Sequence, residues 1–174
     1  FKNVLDSQRP KLPFGLGQIG KVFRNEITKG NFVFRTLEFT LMEFEYFFNP
    51  NVQKWEDIFE YWRKEMFDWI TSMGVPKEKL RWRVHSDEER AHYSKRTEDL
   101  DFEFAVGFKE MFGLAYRTDF DLNKHIEKSG ADLRYMDPET GEKFVPHVIE
   151  PIFGSSRIFL ALLTNGYKEE GDRV

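Results

Sequence analysis

Apolar and polar residues alternate in period two over several short segments of this chain and recur in period 3.6 over a few longer ones. The clearest helical stretch begins at Trp55. Trp55, Ile58, Phe59, Trp62, Met66, Trp69, Ile70 and Met73 fall at i, i+3, i+4 and i+7 spacing, which predicts one amphipathic helix with an aromatic stripe. Gly74 and Pro76 stop it. Core packing explains the stripe better than a cofactor box does. A strongly apolar helix is predicted from Ser155 to about Asn165 with Gly166 as its cap, and a short helix from Asp119 to Ser129 ended by Gly130. Ser86-Asp-Glu-Glu89 has the form of a capping box and predicts a further short helix.

The period-two segments read as strands. Leu80, Trp82 and Val84 alternate with Lys79, Arg81 and Arg83, which predicts a half-buried strand whose basic face is either solvated or turned to RNA phosphates. Residues 18–26, 100–106, 109–116 and 145–150 also read as strands, with Gly107 near the turn of the middle pair. Phe32 to Phe48 is rich in phenylalanine and free of glycine and proline. With Thr28-Lys-Gly-Asn31 as a turn before it, this stretch and residues 18–26 predict a wide antiparallel hairpin. Asp137-Pro-Glu-Thr-Gly141 is a strong turn. The sum is an α+β domain, an antiparallel sheet flanked by helices.

Composition narrows the picture. The 174 residues suit one domain with ample core, since 40% are hydrophobic and 17% aromatic. No apolar run reaches the roughly 20 residues needed to cross a bilayer, and no signal peptide is visible, so a cytoplasmic location without a membrane partner is expected. The absence of cysteine excludes disulfides and thiolate metal sites. Histidines at 85, 92, 125 and 147 lack ligand spacing. A net charge of −4 argues against broad nucleic-acid binding but allows a local basic contact. The chain opens on Phe1 without an initiator methionine, so a fragment or trimmed piece is expected.

Gly15-Leu-Gly-Gln-Ile-Gly20 matches G-x-G-x-x-G, the pattern of a dinucleotide-binding turn. That turn needs a buried strand before it and a helix opening from it. Here Arg9-Pro-Lys-Leu-Pro13 precedes it, and an alternating, strand-like segment follows. Glu38 lies near the distance of a ribose-binding acid but within another apparent strand. The glycines therefore have another task.

Strand parity points to one. Arg24 and Glu26 are two apart, while Arg35, Phe39 and Glu43 are four apart each, so each set shares a face. If the hairpin aligns these faces, one surface spanning about 26 Å offers guanidiniums for phosphates, a ring for a base and carboxylates for an ammonium. Ordinary ion pairs on a charged strand face remain the alternative.

Phe23-Arg-Asn-Glu26, a loop, then Phe34-Arg-Thr-Leu-Glu-Phe39 resembles motif 2 of class II aminoacyl-tRNA synthetases, F-R-x-E, loop, R-x-x-x-F. Val148-Ile-Glu-Pro-Ile-Phe-Gly-Ser-Ser-Arg157 before an apolar helix looks like motif 3. "KLPFGLGQIGKVFRNEITKGNFVFRTLEFTLMEFEYF", "AHYSK" and "GLAYRTDFDLNKHIEKSGADL" resemble the homodimeric glycyl-tRNA synthetases, through nearly the whole chain. The resemblance implies a single partial class II catalytic core over residues 1–174. Motif 2 would lie at about 18–48, an inserted helical part at about 53–95 and motif 3 at about 145–166. The motif 1 region and the anticodon-binding domain are expected to be missing.

The implied reaction activates glycine with ATP, as glycyl-adenylate, and passes it to tRNA(Gly), with Mg²⁺ and a homodimer in the full-length protein. By the same resemblance Arg24 would hold the α-phosphate, and Glu26 the adenine edge or the far side of the nucleotide. Arg35 would reach the terminal phosphates, and Phe39 would stack on adenine. Asn25, Phe34, Met111 and Gly154 would join the ATP-binding set. Arg157 would meet the nucleotide from the other side, so that Arg24, Glu26 and Arg157 carry the catalysis. Glu110 would sit where Mg²⁺ bridges to phosphate. Glu43, Glu150, Ile152, Gly154 and Phe39 would line the glycine pocket, and Arg117 and Asp119 would position their neighbours.

Several positions depart from the family pattern. Leu37, Thr40 and Leu41 replace an arginine, a glutamate and a glutamine; Phe112 replaces a glutamate; Ile152 stands where a serine hydroxyl would hold glycine; Ser155 and Ser156 replace a hydrophobic–aspartate pair. These changes leave open a second possibility, an impaired or shortened module that serves as a binding, accessory or engineered scaffold, as some relatives serve polymerases.

Overall fold

Period-two alternation becomes one sheet. In the computed structural model, which describes residues 1–28, 30 and 32–171, the strands are β1 (Phe14–Phe23), β2 (Glu38–Phe48), β3 (Leu80–Val84), β4 (Arg96–Phe104), β5 (Gly107–Thr118) and β8 (His147–Gly154). They lie in the order β1-β2-β8-β5-β4-β3, and every neighbouring pair is antiparallel. A small ribbon of β6 (Tyr135–Met136) and β7 (Lys143–Phe144) closes over the Asp137–Gly141 turn, where Asp137 Oδ1 accepts from the Glu139 and Thr140 amides. The fold is α+β.

The long aromatic helix forms as its spacing predicts. It is α2 (Trp55–Ser72), with Glu56 and Asp57 at its positive end. Gly74, at φ +92, turns the chain away. Ile58, Phe59, Met66 and Ile70 are buried against the sheet, and each such side chain contributes about 1.5–3 kcal/mol through removal from water. Trp62 meets Phe44 and Tyr46 with ring centroids 4.9 and 5.9 Å apart. α4 (Ser155–Gly166) packs on the same core through Ile158 and Ala161.

These helices cover the sheet face that carries Met42, Phe44, Tyr46, Phe48, Phe112 and Phe153. The residues between them, Phe39, Leu41, Glu43 and Glu45 on β2 and Glu150, Ile152 and Gly154 on β8, therefore point to the other face. One end of that face is closed by a second apolar cluster of Phe47, Val148 and Leu122, joined by Phe1, Phe14 and Leu16. Leu122 comes from α3 (Phe120–Ser129), which ends at Gly130 at φ +71. The rest of the face is left for chemistry.

Five expectations need correction. The first strand spans 14–23 rather than 18–26, because the glycine-rich segment is itself the strand. Its glycines make room for a ring: Gly15 and Gly17 stand opposite Tyr46 and Phe44, a Cβ at Gly15 would overlap the Phe44 ring, and one at Gly17 would lie 3.3 Å from it. The Phe32–Phe48 stretch is strand only from Glu38, so Arg35 lies in the loop. Of the expected turn at 28–31, Lys29 and Asn31 lie outside the described residues. The Ser86 capping box makes both reciprocal bonds, at 3.3 Å each, yet only a turn follows, since no apolar periodicity sustains a helix there. The other strands run 96–104 and 147–154, shifted from expectation, and Gly166 is the last residue of its helix rather than the cap. Short α1 (Lys2–Gln8) buries no residue and has no periodicity to announce it.

The ring-over-glycine contact is testable. Gly15→Val should destabilise the fold by about 1–3 kcal/mol, as over-packing does, whereas the same change in a Phe44→Ala background should cost much less. Urea denaturation of the four proteins reads the coupling directly.

Candidate active site

The β1–β2 hairpin continues one bond beyond β1, where the Arg24 amide donates to the Leu37 carbonyl at 3.0 Å. The chain between them folds back on itself. The Gly30 amide donates to the Arg35 carbonyl at 3.0 Å, and Arg35 Nε lies 3.7 Å from Glu26 Oε2. The loop, rather than strand parity, is what brings Arg35 to Glu26.

A second connection fixes the loop over the sheet. Arg157, in the first turn of α4, donates from Nη1 to the Glu110 carbonyl at 2.7 Å and from Nη2 to the Phe34 carbonyl at 2.9 Å. It also pairs with the Glu110 carboxylate at 3.0 Å. One guanidinium thus joins the hairpin loop, β5 and α4. Gly154 lies close by: a Cβ there would make ordinary contacts, 3.4 Å from the Met111 carbonyl and 3.5 Å from Arg157 Cδ.

Between these elements lies a cavity of about 220 Å³. The hairpin and its loop line it with Arg24, Glu26, Phe34, Arg35 and Phe39; β5 adds Glu110 and Met111; β8 and α4 add Ile152, Gly154 and Arg157. Asn25 is the one residue of the expected nucleotide set outside its lining. The Arg24 guanidinium stands 5.3 Å from the centre of the Phe39 ring, so a flat ring stacking on Phe39 and an anion pairing with Arg24 would meet at one place.

Glu43 and Glu150 lie farther along the same face, outside that cavity's lining. Glu43 stands opposite Ile152, and Tyr46 opposite Ile149; the register between them sets Glu45 beside Glu150. Opposed carboxylates repel unless a cation or proton intervenes. Arg117 supplies one charge, donating from Nη1 to Glu150 at 2.7 Å and from Nε to Asp121 at 2.7 Å. Burial opposes the Arg117 charge, but its bonds to Asp121 and Glu150 outweigh this and hold its pKa above the ordinary range. Asp119 faces His147, 4.0 Å away.

Three carboxylates exceed what Arg117 can neutralise. Burial and then the neighbouring Glu150 raise the pKa of Glu43, against Arg117 and Arg24. Burial and then the charge of neighbouring Glu150 push Glu45 up to about 8. This cluster can take an ammonium group, or hold a proton in its place. Glu45 was legible by the parity that singled out Glu43 two residues earlier. Leu41, which lines the cavity, shares that parity too.

No family model matches the chain. Over 172 residues, 98% of its length, it is 52% identical to the glycine–tRNA ligases of Staphylococcus aureus strains JH9, Newman and N315. It spans 36% of the length of these curated relatives. Nearly the whole chain is thus similar to one segment of these glycine–tRNA ligases. Its antiparallel sheet with helices is consistent with the class II synthetase catalytic fold.

The departures from the synthetase pattern now divide by location. Phe112 is fully buried on the helix-covered face, 4.8 Å from Phe153 and 5.8 Å from Trp69 between ring centroids. It serves packing and takes no part in the cavity. Leu37 is outside the lining and about two-fifths exposed. Ser155 donates to the Thr40 carbonyl at 2.8 Å and ties α4 to β2. Thr40, Leu41, Ser156 and Ile152 line the cavity, so only these change its chemistry directly.

The carboxylate pair predicts a pH dependence of stability. A carboxyl that holds its proton more tightly when folded stabilises the fold fully below its ordinary pKa of 4.5, and that contribution is lost as pH rises through about 8. Glu45→Gln keeps a neutral donor beside Glu150. It should flatten the fall in melting temperature between pH 5 and about 8; an unchanged slope would remove Glu45 as its source.

Proposed function

We propose that this chain carries the adenylate-forming core of a glycine–tRNA ligase. The observation that supports the reading is the convergence of Arg24, Arg35, Phe39, Glu110 and Arg157 on one cavity, beside an acid-rich strip containing Glu43 and Glu150. Glycine, ATP and tRNA(Gly) are the substrates, and the cytoplasm and a homodimer are the setting in which such an enzyme works.

The chemistry requires little of the protein beyond alignment and charge balance. The glycine carboxylate attacks the α-phosphorus, a carboxylate oxygen–phosphorus bond forms, and the bond to the β-phosphate oxygen breaks with its electron pair leaving on pyrophosphate. No general base is needed, because the attacking carboxylate is already ionised. Arg24 balances the charge that builds on the α-phosphate. Phe39 supports adenine, Glu26 holds its edge, and Arg35 meets the terminal phosphates, with Asn25 and Phe34 shaping the loop around them. Arg157 covers the other side, held by its bonds to Phe34 and Glu110. Glu43 and Glu150 meet the glycine ammonium, beside Ile152 and Gly154.

Among the described residues no group of three or more histidines and acids forms a metal cage. Glu110 offers a single carboxylate at the nucleotide side, and Mg²⁺ commonly takes one or two carboxylates with the substrate's own phosphates. Glu110 fits that role and would hold the ion, which screens the phosphate charge when bound.

The aliphatic Leu41 and Ile152 in the lining favour a second reading, a module that binds ATP without activating glycine. Isotope exchange between pyrophosphate and ATP separates the two. The first reading predicts exchange that requires glycine and falls about 10²–10³-fold in Arg24→Ala, the loss typical of a removed transition-state donor. Folded protein that binds Mg²⁺–ATP but gives no glycine-dependent exchange would establish the second.

A further inference from the structure

Glu45 is the member of the acid cluster that the proposed reaction leaves unused. It stands beside Glu150 in the β2–β8 register, and the guanidinium that serves the cluster is committed elsewhere. Arg117 donates from Nε and Nη2 to the two oxygens of Asp121 at 2.7 and 3.0 Å, and from Nη1 to Glu150 at 2.7 Å. The Tyr93 ring covers its face, with the guanidinium carbon 4.3 Å from the ring centre. The fork of Arg117 is thus spent on two other carboxylates.

Charged groups reach Glu45 from every side but one. β2 supplies Glu43, β8 Glu150, β5 Arg117, and α3 Asp121 and His125; Phe1, with its amino group, and Lys2 lie at the start of the chain. Lys2 pairs with Asp6 at 2.9 Å. On the remaining side β1 sets apolar Leu16 opposite Glu45. Glu150 and Glu43 oppose a charge on Glu45, while Arg117 favours it; Glu43 has both Arg117 and Arg24 in its favour. The Glu45 carboxyl is therefore where a proton stands in for an absent cation. Glu45 also lines a cavity of about 460 Å³ with Arg117, Asp121 and His125. His125 is exposed, so a proton leaving Glu45 has a way to solvent.

We propose that Glu45 is a positioning residue whose proton is exchanged for the ammonium group of the ligand. In the empty site the Glu45 carboxyl donates its hydrogen bond to Glu150 and holds that carboxylate against Arg117. When a primary ammonium seats between Glu43 and Glu150, its charge takes the place of the proton. The O–H bond of Glu45 breaks, the proton goes to solvent, and the carboxylate left behind adds its charge to the surroundings of the amine. The proposal rests on the reading of Glu43 and Glu150 as the amine end, and adds to it that amine binding and proton loss are one event.

Calorimetric titration with glycine, in buffers of different ionisation enthalpy, counts the protons released. At about pH 7 the unsubstituted protein should release about half a proton or more per glycine, since Glu45 is largely protonated below about 8. Its affinity for glycine should rise about three- to tenfold per pH unit from about pH 6 toward that value. Glycolate, with a hydroxyl in place of the amine, should release no proton. Glu45→Gln keeps a donor beside Glu150 but has no proton to lose. It should match the unsubstituted protein near pH 6, bind glycine about tenfold more weakly near pH 8, and release no proton. Infrared difference spectra of the ligand-free protein check the proton itself: one carboxyl band should vanish as pH rises through about 8 and be missing from Glu45→Gln. Glycine bound without proton release, equal weakening of the variant at both pH values, or no such band would overturn the role of Glu45 and leave the amine site standing. Folded protein that shows the band but binds no glycine would overturn the amine reading itself, and the exchange with it.

Discussion

The pairing of β2 with β8 is the constraint on which the rest of the structure depends. Its register sets Glu43 opposite Ile152 and Leu41 opposite Gly154, and so decides which residues of the two strands share a face. A slip by one position would send the carboxylates into the aromatic core and Phe44 and Phe153 into solvent. The core enforces the register, because Phe48, Phe112 and Ile149 are fully buried on one side. Burial of one face is thus what presents the other face for chemistry.

From that register the site assembles in two ways. The strands supply a fixed floor, with Phe39, Leu41, Ile152 and Gly154 at set positions. The hairpin loop supplies a cover, and Arg157 ties the cover to the floor through backbone carbonyls of Phe34 and Glu110. This division matters for mechanism. Arg24, Glu26 and Arg35, which in the proposed reaction would meet the polyphosphate, sit on or beside the loop. Glu43, Glu45 and Glu150 sit on strands, where Arg117 and cross-strand neighbours hold them. Preorganised acids of this kind are held by the fold at a cost in repulsion, which Glu45 relieves by keeping its proton.

Much of this was legible in the amino-acid sequence, and the failures have physical causes. α2 is long and strongly periodic, so its bounds emerge almost intact. The Gly107 turn and the Gly130 cap also emerge, because a positive φ selects glycine. Parity grouped Phe39 with Glu43 correctly but misassigned Arg35, whose segment has the apolar content of a strand and the conformation of a loop. Arg35 reaches the cavity all the same, by a route that no local period encodes. The first strand was placed too late, at 18–26, because glycines usually mark turns and here they answer to a ring on the neighbouring strand. The pairing of Arg81 and Arg83 on β3 with Asp101 and Asp99 on β4 joins residues distant in sequence and was visible only as an undecided basic face.

The central claim is that one sheet face presents an adenine platform and an ammonium-facing acid cluster to a single extended ligand. A crystal structure with a non-reactive glycyl-adenylate analogue, its phosphate replaced by a sulfamoyl group, tests this most directly. The account predicts adenine stacked on Phe39 beneath Arg157, the sulfamoyl oxygens on Arg24, and the amine between Glu43 and Glu150. An analogue bound with its base away from Phe39, or with its amine turned to solvent, would contradict it.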